Sequence, residues 1–401
     1  MALTKVIGKG IGAVDEITSD TAGTNNFVAG VNAGNSIASG GNDNTCVGDE
    51  AGTAITTGDN SVAVGYRAGD AITTGSSNIA IGRDALGAEV AGNKNIAIGS
   101  GALETQSFSS STDAYNIAIG DNAGLDLTVG ERNILVGGLA GDEITDADDI
   151  IAIGYRSGGA GASSATTGHD NICIGTDAGE KIQDGGQNVY IGKQCADEAT
   201  SGGANVIIGF QAGTATTALT TGGTNTLIGS YTHSATVNAS SSVGLGHSLS
   251  CATGYATIGH GGSDIRAAHG NTTWSTVSDE RYKKDIVDST AGLSFINDLR
   301  PRTFKYKNLG DLPNTFNSYE EGSTEVFKNT NTNHGFIAQE VKTAIDAHSE
   351  IKDGFRLWDD RDDGSQEVAE TALIPVLTKA VQELSAQVTA LTNRITALEN
   401  G

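Results

Sequence analysis

Between residues 26 and 260 one short hydrophobic pattern returns again and again. The run Asn-Ile-Ala-Ile-Gly stands at 78–82, 95–99 and 116–120, with relatives at 62–65, 133–137, 151–154, 171–175, 188–192, 205–209 and 225–229. Weaker copies end at Gly30, Gly48, Gly246 and Gly259. The closing glycines are spaced 18, 17, 17, 17, 21, 17, 17, 21, 17, 17, 20, 17 and 13 residues apart, so 17 is the period and the longer steps are loop insertions. A second element, Gly-x-x-Ala-Gly, follows at 48–52, 65–69, 120–124, 137–141, 175–179 and 209–213. Large-small-large alternation is the strand period, and the branched residues favour strands. The Gly, Asn, Asp and Thr-Thr-Gly clusters between motifs favour turns. Seventeen residues then make one coil of a β-solenoid, and thirteen coils at about 4.8 Å each give a shaft of roughly 60 Å. Glycine after each strand suits a corner at positive φ, and stacked Asn78, Asn95 and Asn116 suit a hydrogen-bonded ladder. The small middle residues (Ala63, Ala80, Ala97, Ala118, Ala152 and Cys173) are expected to line the axis of an oligomer, where chains approach closely.

The end of the chain has another period. Apolar residues at 374, 377, 381, 384, 388, 391, 395 and 398 step by three and four, which is the heptad pattern of a coiled coil. Ile374, Val381, Val388 and Ile395 take position a, and Leu377, Leu384, Leu391 and Leu398 take d. The β-branched a residues with Leu at d favour two strands, whereas the Arg-Ile-x-x-Leu-Glu run at 394–399 resembles a trimer-specifying pattern. Pro375 fits the first helical turn, where its missing N–H matters little.

Composition separates the two regions. Of 56 glycines, 49 precede residue 278, and all 3 prolines follow it. Proline removes ladder donors, so its absence marks an uninterrupted sheet. Formal charge is 24 − 48 = −24, which argues against a nucleic-acid partner. No apolar run is long enough to insert in a membrane, and the opening MALTKVIGKGIGA is not expected to act as a secretory signal. Cys46, Cys173, Cys195 and Cys251 are far apart, unlike a disulfide framework or zinc site. Cys46, Cys173 and Cys195 fall in small-residue slots and read as packing residues. No cofactor or metal is expected. The acidic run 359–363 lacks the ligand spacing of a calcium loop and reads as a solvated turn. Tyr66, Tyr155, Tyr190, Phe210 and Tyr231 are candidate exposed aromatics for glycan stacking, with shaft packing as the plainer reading.

The repeats resemble the heads of trimeric bacterial adhesins and repeats of phage tail fibres, which implies a trimeric β shaft. After them comes Ser-Asp-x-Arg-x-Lys-x-x-Ile, filled by Ser278, Asp279, Arg281, Lys283 and Ile286. By itself such a string reads as a charged, solvated strand or helix start. With Gly-Phe-Ile-Ala-Gln-Glu-Val at 335–341 and the helix-like run 373–384, it resembles the self-cleaving intramolecular chaperone domain that ends endosialidase tailspikes and many phage tail fibres. The resemblance implies cleavage between Val277 and Ser278, with Ser278 as nucleophile and Lys283 as its base. A lysine serves as base only where burial or neighbouring cations lower its pKa, a role open to Arg281 and Lys284. Gly335, Gln339 and Glu340 match the second motif and are expected to support the site or the trimer contact.

The expected fold is therefore mostly β: a trimeric β-solenoid shaft, a small α+β chaperone domain and a C-terminal trimeric coiled coil. The expected boundaries are an N-terminal attachment segment at 1–25, the shaft at 26–260, a linker at 261–277, the chaperone core at 278–371 and the coiled-coil helix at 372–401. The implied role is a phage tail fibre: homotrimeric, assembled in the host cytoplasm, carried on the virion tail, and partnered by tail or baseplate proteins and a host surface receptor, expected to be a glycan. A bacterial surface adhesin or a polysaccharide-degrading tailspike with the same chaperone is the alternative.

Overall fold

Each Ile-Ala-Ile motif forms a strand of three residues, and the strands stack in register. In the computed structural model, which describes residues 21–159, 168–214 and 217–400, one sheet of 16 strands runs from Phe27–Ala29 to Ser275–Thr276. Successive motif strands pair in parallel with identical positions opposed, as in Ala63↔Ala80, Ala80↔Ala97 and Ala97↔Ala118. The chain is mostly β, a solenoid followed by a smaller region of short strands and helices. The chain divides into two units, Met1–Ser278 and Asp279–Gly401. Most of the expected attachment segment, residues 1–20, lies outside the described residues.

The expectation that the small middle residues line an oligomer axis is corrected. Ala80, Ala97, Ala118, Ala152 and Cys173 are fully buried inside the coil, packed with the alanines of Gly-x-x-Ala-Gly and a column including Ile55, Ile72 and Ile144. The flanking branched residues face outward instead: Ile81, Ile119, Ile153, Ile228 and Leu245 are exposed. The reason is volume. A coil of 17 residues is too narrow to hold two Ile side chains per strand along with the arc opposite.

Asparagine supplies the interior polar ladder. Asn95 N–H donates to Asn78 Oδ1 at 3.0 Å, Asn116 N–H to Asn95 Oδ1 at 3.2 Å and Asn133 N–H to Asn116 Oδ1 at 2.9 Å. Asn78 and Asn116 also donate from Nδ2 to the turn carbonyls of Gly92 and Gly130, whereas Asn95 Nδ2 donates to Asn78 Oδ1. A buried amide is tolerated because its polar atoms are met in this way. The corner glycines answer a second demand. Gly137 has φ +135°, and a Cβ there would lie 2.5 Å from the carbonyl oxygen of Gly154 in the next coil. Four positions in a regular coil lie at positive φ, as Gly65, Arg67, Gly69 and Ser77 do, and many of them are not glycine, such as Asn60, Arg67 and Lys94.

Cys46, Cys173, Cys195 and Cys251 are buried and free. Burial pushes the Cys46 thiol up to about 11 and that of Cys195 up to about 12, which suits packing and not thiolate chemistry. Tyr190 is fully buried between coils, so its candidacy as a glycan-stacking residue is withdrawn. Tyr66, Tyr155, Phe210 and Tyr231 are exposed. Residues 261–277, expected to be a linker, instead continue the sheet. Tyr255–His260 pairs antiparallel with Ser263–Ala268, which pairs antiparallel with Ser275–Thr276.

Half-buried Asp142 and Asp197 are each pushed up to about 6, chiefly by burial and then by neighbouring carboxylates such as Glu143 and Glu198. A carboxyl with a raised folded-state pKa favours the fold while protonated, and that contribution is lost as pH rises through about 6. Acidification from pH 7 to pH 5 is therefore expected to lengthen the unfolding half-life of the shaft. Asp142→Asn with Asp197→Asn is expected to remove most of that pH dependence; an unchanged profile in the double variant would refute the assignment.

In the second unit, helix α1 (Leu293–Asp298), α2 (Ala338–Ala347) and the start of α3 (Leu373–Glu399) enclose a small core of Phe295, Val341, Ile345, Leu357, Leu373 and Val376. Strands Arg302–Phe304 and Asn333–Gly335 pair antiparallel, as do Trp358–Asp360 and Gln366–Val368. Of the acidic run 359–363, expected to be a turn, Asp359 and Asp360 belong to the first strand of that second hairpin, and Arg361, Asp362 and Asp363 lead through its turn. Beyond Ala380 the apolar stripe of α3 is bare: Val381, Leu384, Val388, Leu391, Ile395 and Leu398 are all exposed.

Candidate self-cleavage site

Ser278 closes the first unit and is exposed; Val277 before it is 51% exposed. Residues 275–276 are held as the outer antiparallel strand, where Thr276 Oγ1 donates to the carbonyl of Asp264 at 3.0 Å. Immediately downstream, Asp279 caps the short helical turn Glu280–Tyr282 by accepting from Arg281 N–H at 2.8 Å. It also accepts from Arg281 Nε at 3.0 Å and Nη2 at 2.7 Å. The Arg281 guanidinium and this backbone N–H hold the Asp279 carboxyl below the usual carboxylate range. The Asp-x-Arg spacing thus builds a closed fork.

That pairing corrects one expectation. Arg281 was expected to act as a cationic neighbour of Lys283, but its charge is spent on Asp279. Lys283, whose backbone N–H donates to Glu280 at 2.9 Å, is exposed, as are Lys284 and Ile286. A single chain does not bury the lysine.

The second motif forms a cluster of its own. Glu340, in the first turn of α2, binds the Arg302 fork, with Nε at 2.8 Å from Oε2 and Nη2 on Oε1, and Arg300 approaches at 3.8 Å. Arg302 holds the Glu340 carboxyl below its ordinary range. Gly335 is the strand partner of Arg302, and a Cβ at Gly335 would meet only ordinary contacts, so nothing in the single chain requires glycine there. Gln339 is exposed and its carbonyl accepts from Thr343 Oγ1 at 2.9 Å. Sequence reading missed Arg302, and it missed His348, which joins Asp298 at 2.8 Å and Glu350 at 3.2 Å and ties α1 to α2. Those carboxylates raise the His348 pKa, Asp298 first. Nothing in local spacing announced either residue. Among the described residues no cluster of His, Cys, Asp and Glu is gathered as a metal site, and no helix is long and apolar enough to cross a membrane.

A β-solenoid joined at residue 278 to a small helical and hairpin unit defines the class: a shaft with a separate C-terminal module. Residues 278–349 match a peptidase family model described as chaperone of endosialidase. The match begins on Ser278 and ends just beyond α2, so the module carries a chaperone-of-endosialidase domain of the kind that implies a trimerisation chaperone of tail-fibre or tailspike type. Neither curated proteins nor solved structures give a match.

Proposed function

We propose that this chain is a phage tail fibre whose C-terminal module aligns three copies and then cuts itself off between Val277 and Ser278. The observation that carries the reading is a coincidence of boundaries. The first unit ends at Ser278, the family match begins at Ser278, and the Ser-Asp-x-Arg-x-Lys-x-x-Ile motif opens on the same residue.

Chemically, Lys283 as a neutral amine takes the Ser278 hydroxyl proton, and Oγ attacks the Val277 carbonyl carbon. The peptide C–N bond breaks as the C–O bond forms, and the nitrogen takes a proton to become the free α-amino group of Ser278. Water then attacks the ester, leaving a Val277 carboxylate and restoring the serine hydroxyl. Because the single chain leaves Lys283 exposed, its activation falls to the assembled state, and cleavage reports completed assembly.

Homotrimerisation is supported by two unpartnered apolar features, the outward Ile/Leu stripe of the shaft and the heptad stripe of α3. A double substitution in α3, Val388→Asp with Leu391→Asp, is expected to leave the chain monomeric in light scattering and uncleaved on denaturing gels. Normal trimers from that variant would remove the helix from the assembly step. Attachment to a virion tail and recognition of a host glycan extend the same reading, and the exposed Tyr66, Tyr155, Phe210 and Tyr231 are the residues to vary in binding assays with host glycans.

A further inference from the structure

Next to the proposed scissile bond the shaft has a hollow of about 200 Å³ lined by Tyr255, Asp264, Arg266, Ser275, Thr276 and Val277. All six belong to the first unit and remain with the shaft after cleavage. Arg266 stands opposite Ser275 in the antiparallel pair, which brings its guanidinium to the side of the strand that leads to Val277. The guanidinium carbon lies over the Tyr255 ring, 5.2 Å from the centroid. A guanidinium placed over a ring in this way is held by cation–π attraction while its N–H groups remain available to a planar carboxylate. Among the described residues no carboxylate pairs with that edge; Asp264, two residues before on the same strand, lines the hollow without bonding to Arg266. One carboxylate is missing from the intact chain here: the one created when water resolves the Val277 ester.

We infer that Arg266 is a product-holding residue, whose guanidinium takes the new Val277 carboxylate and pins the cut end of the shaft onto its terminal strands. This rests on the proposed cleavage at Val277–Ser278. The new charge sits beside Arg266 on one side and Asp264 on the other, so the arginine also offsets the repulsion that Asp264 would exert.

The test compares two pairs of full-length proteins. Wild type and Arg266→Gln form the first pair, and the same two in the uncleaved Ser278→Ala background form the second. Intact mass gives the extent of cleavage, and the half-life of the trimer in hot detergent gives resistance. Arg266→Gln is expected to cleave fully, yet its cut shaft loses half-life by about threefold or more relative to wild type, the scale of an exposed charge pair. In the Ser278→Ala pair, which has no new carboxylate, the loss is expected to vanish. Arg266→Lys, keeping charge without the fork, is expected to lie between. An equal loss in both pairs would make Arg266 a merely structural residue and overturn the inference while leaving the cleavage intact. Blocked cleavage in Arg266→Gln would also overturn it, because the residue would then act before the bond breaks. Wild type found at full mass after assembly would overturn the cleavage reading, and the inference with it.

Discussion

Ser278→Ala is expected to run as one chain of 401 residues, where wild type yields pieces of 277 and 124. The expectation is close to all-or-none. Alanine has no oxygen to carry the acyl group, and water offers no comparable attack at an unactivated peptide carbonyl. Lys283→Met, which keeps much of the length and removes the base, is expected to slow cleavage by two or more orders of magnitude, about the scale of a lost general base. Intact mass spectrometry on freshly assembled protein decides both. If Ser278→Ala still cuts after residue 277, the nucleophile lies elsewhere. A further contrast separates chemistry from assembly: Ser278→Ala should still give trimers, whereas the α3 double variant should give neither trimers nor cleavage.

Gly137→Ala is expected to stop the shaft from forming. At φ +135° an alanine sits in a region that only glycine populates readily, at a cost of about 1–3 kcal/mol. The larger effect is contact. The added methyl would lie 2.5 Å from Gly154 O and 2.7 Å from Gly154 C, both backbone atoms that no rotamer change can move. Relief means parting two coils, which stretches ladder bonds such as Gly154 N–H to Val136 O at 2.8 Å. Together these amount to roughly 3 kcal/mol or more per chain, and a trimer multiplies that. Soluble trimer yield and unfolding half-life are the readouts. On the proposed function, in which cleavage follows assembly, uncut chain of 401 residues should accumulate. The control is Gly254→Asn: φ there is +74° with nothing within 4 Å, and Asn tolerates that conformation. Equal behaviour of the two variants would show that coil stacking does not set the demand for glycine.

The repeating part of the fold was legible because each coil poses the same problem and the sequence repeats the same answer. Period, strand positions, glycine corners and the asparagine ladder all followed from residues that recur at one spacing. Which side faces inward did not follow. Ile-Ala-Ile alternates equally well with its large residues in or out, and the choice depends on what the opposite arc brings, such as Ile55 and Ile72, 17 residues apart. Positive-φ positions filled by Arg67, Lys94 or Arg132 were also invisible, since those residue types do not announce a left-handed turn. The linear motif at 278–286 could be read directly, but not that Asp279 would take the Arg281 guanidinium. The clasp of Arg302 on Glu340 spans 38 residues and that of His348 on Asp298 spans 50. Separations of that size are set by tertiary packing alone.

The hairpin at the last coil, Tyr255–His260 with Ser263–Ala268, bears on whether one copy of the shaft can stack on another. A solenoid of parallel strands would offer its last strand as a template on which another copy could stack, one molecule feeding the next into a filament. Here the last full coil is followed by Ser263–Ala268, which runs the opposite way, and then by the outermost strand, Ser275–Thr276, which turns back to the direction of the coils but is only two residues long. A foreign coil finds only two residues of ladder to pair with there, since very short edge strands blunt such templating. A shaft that ends on so short a strand gives a second copy little to build on.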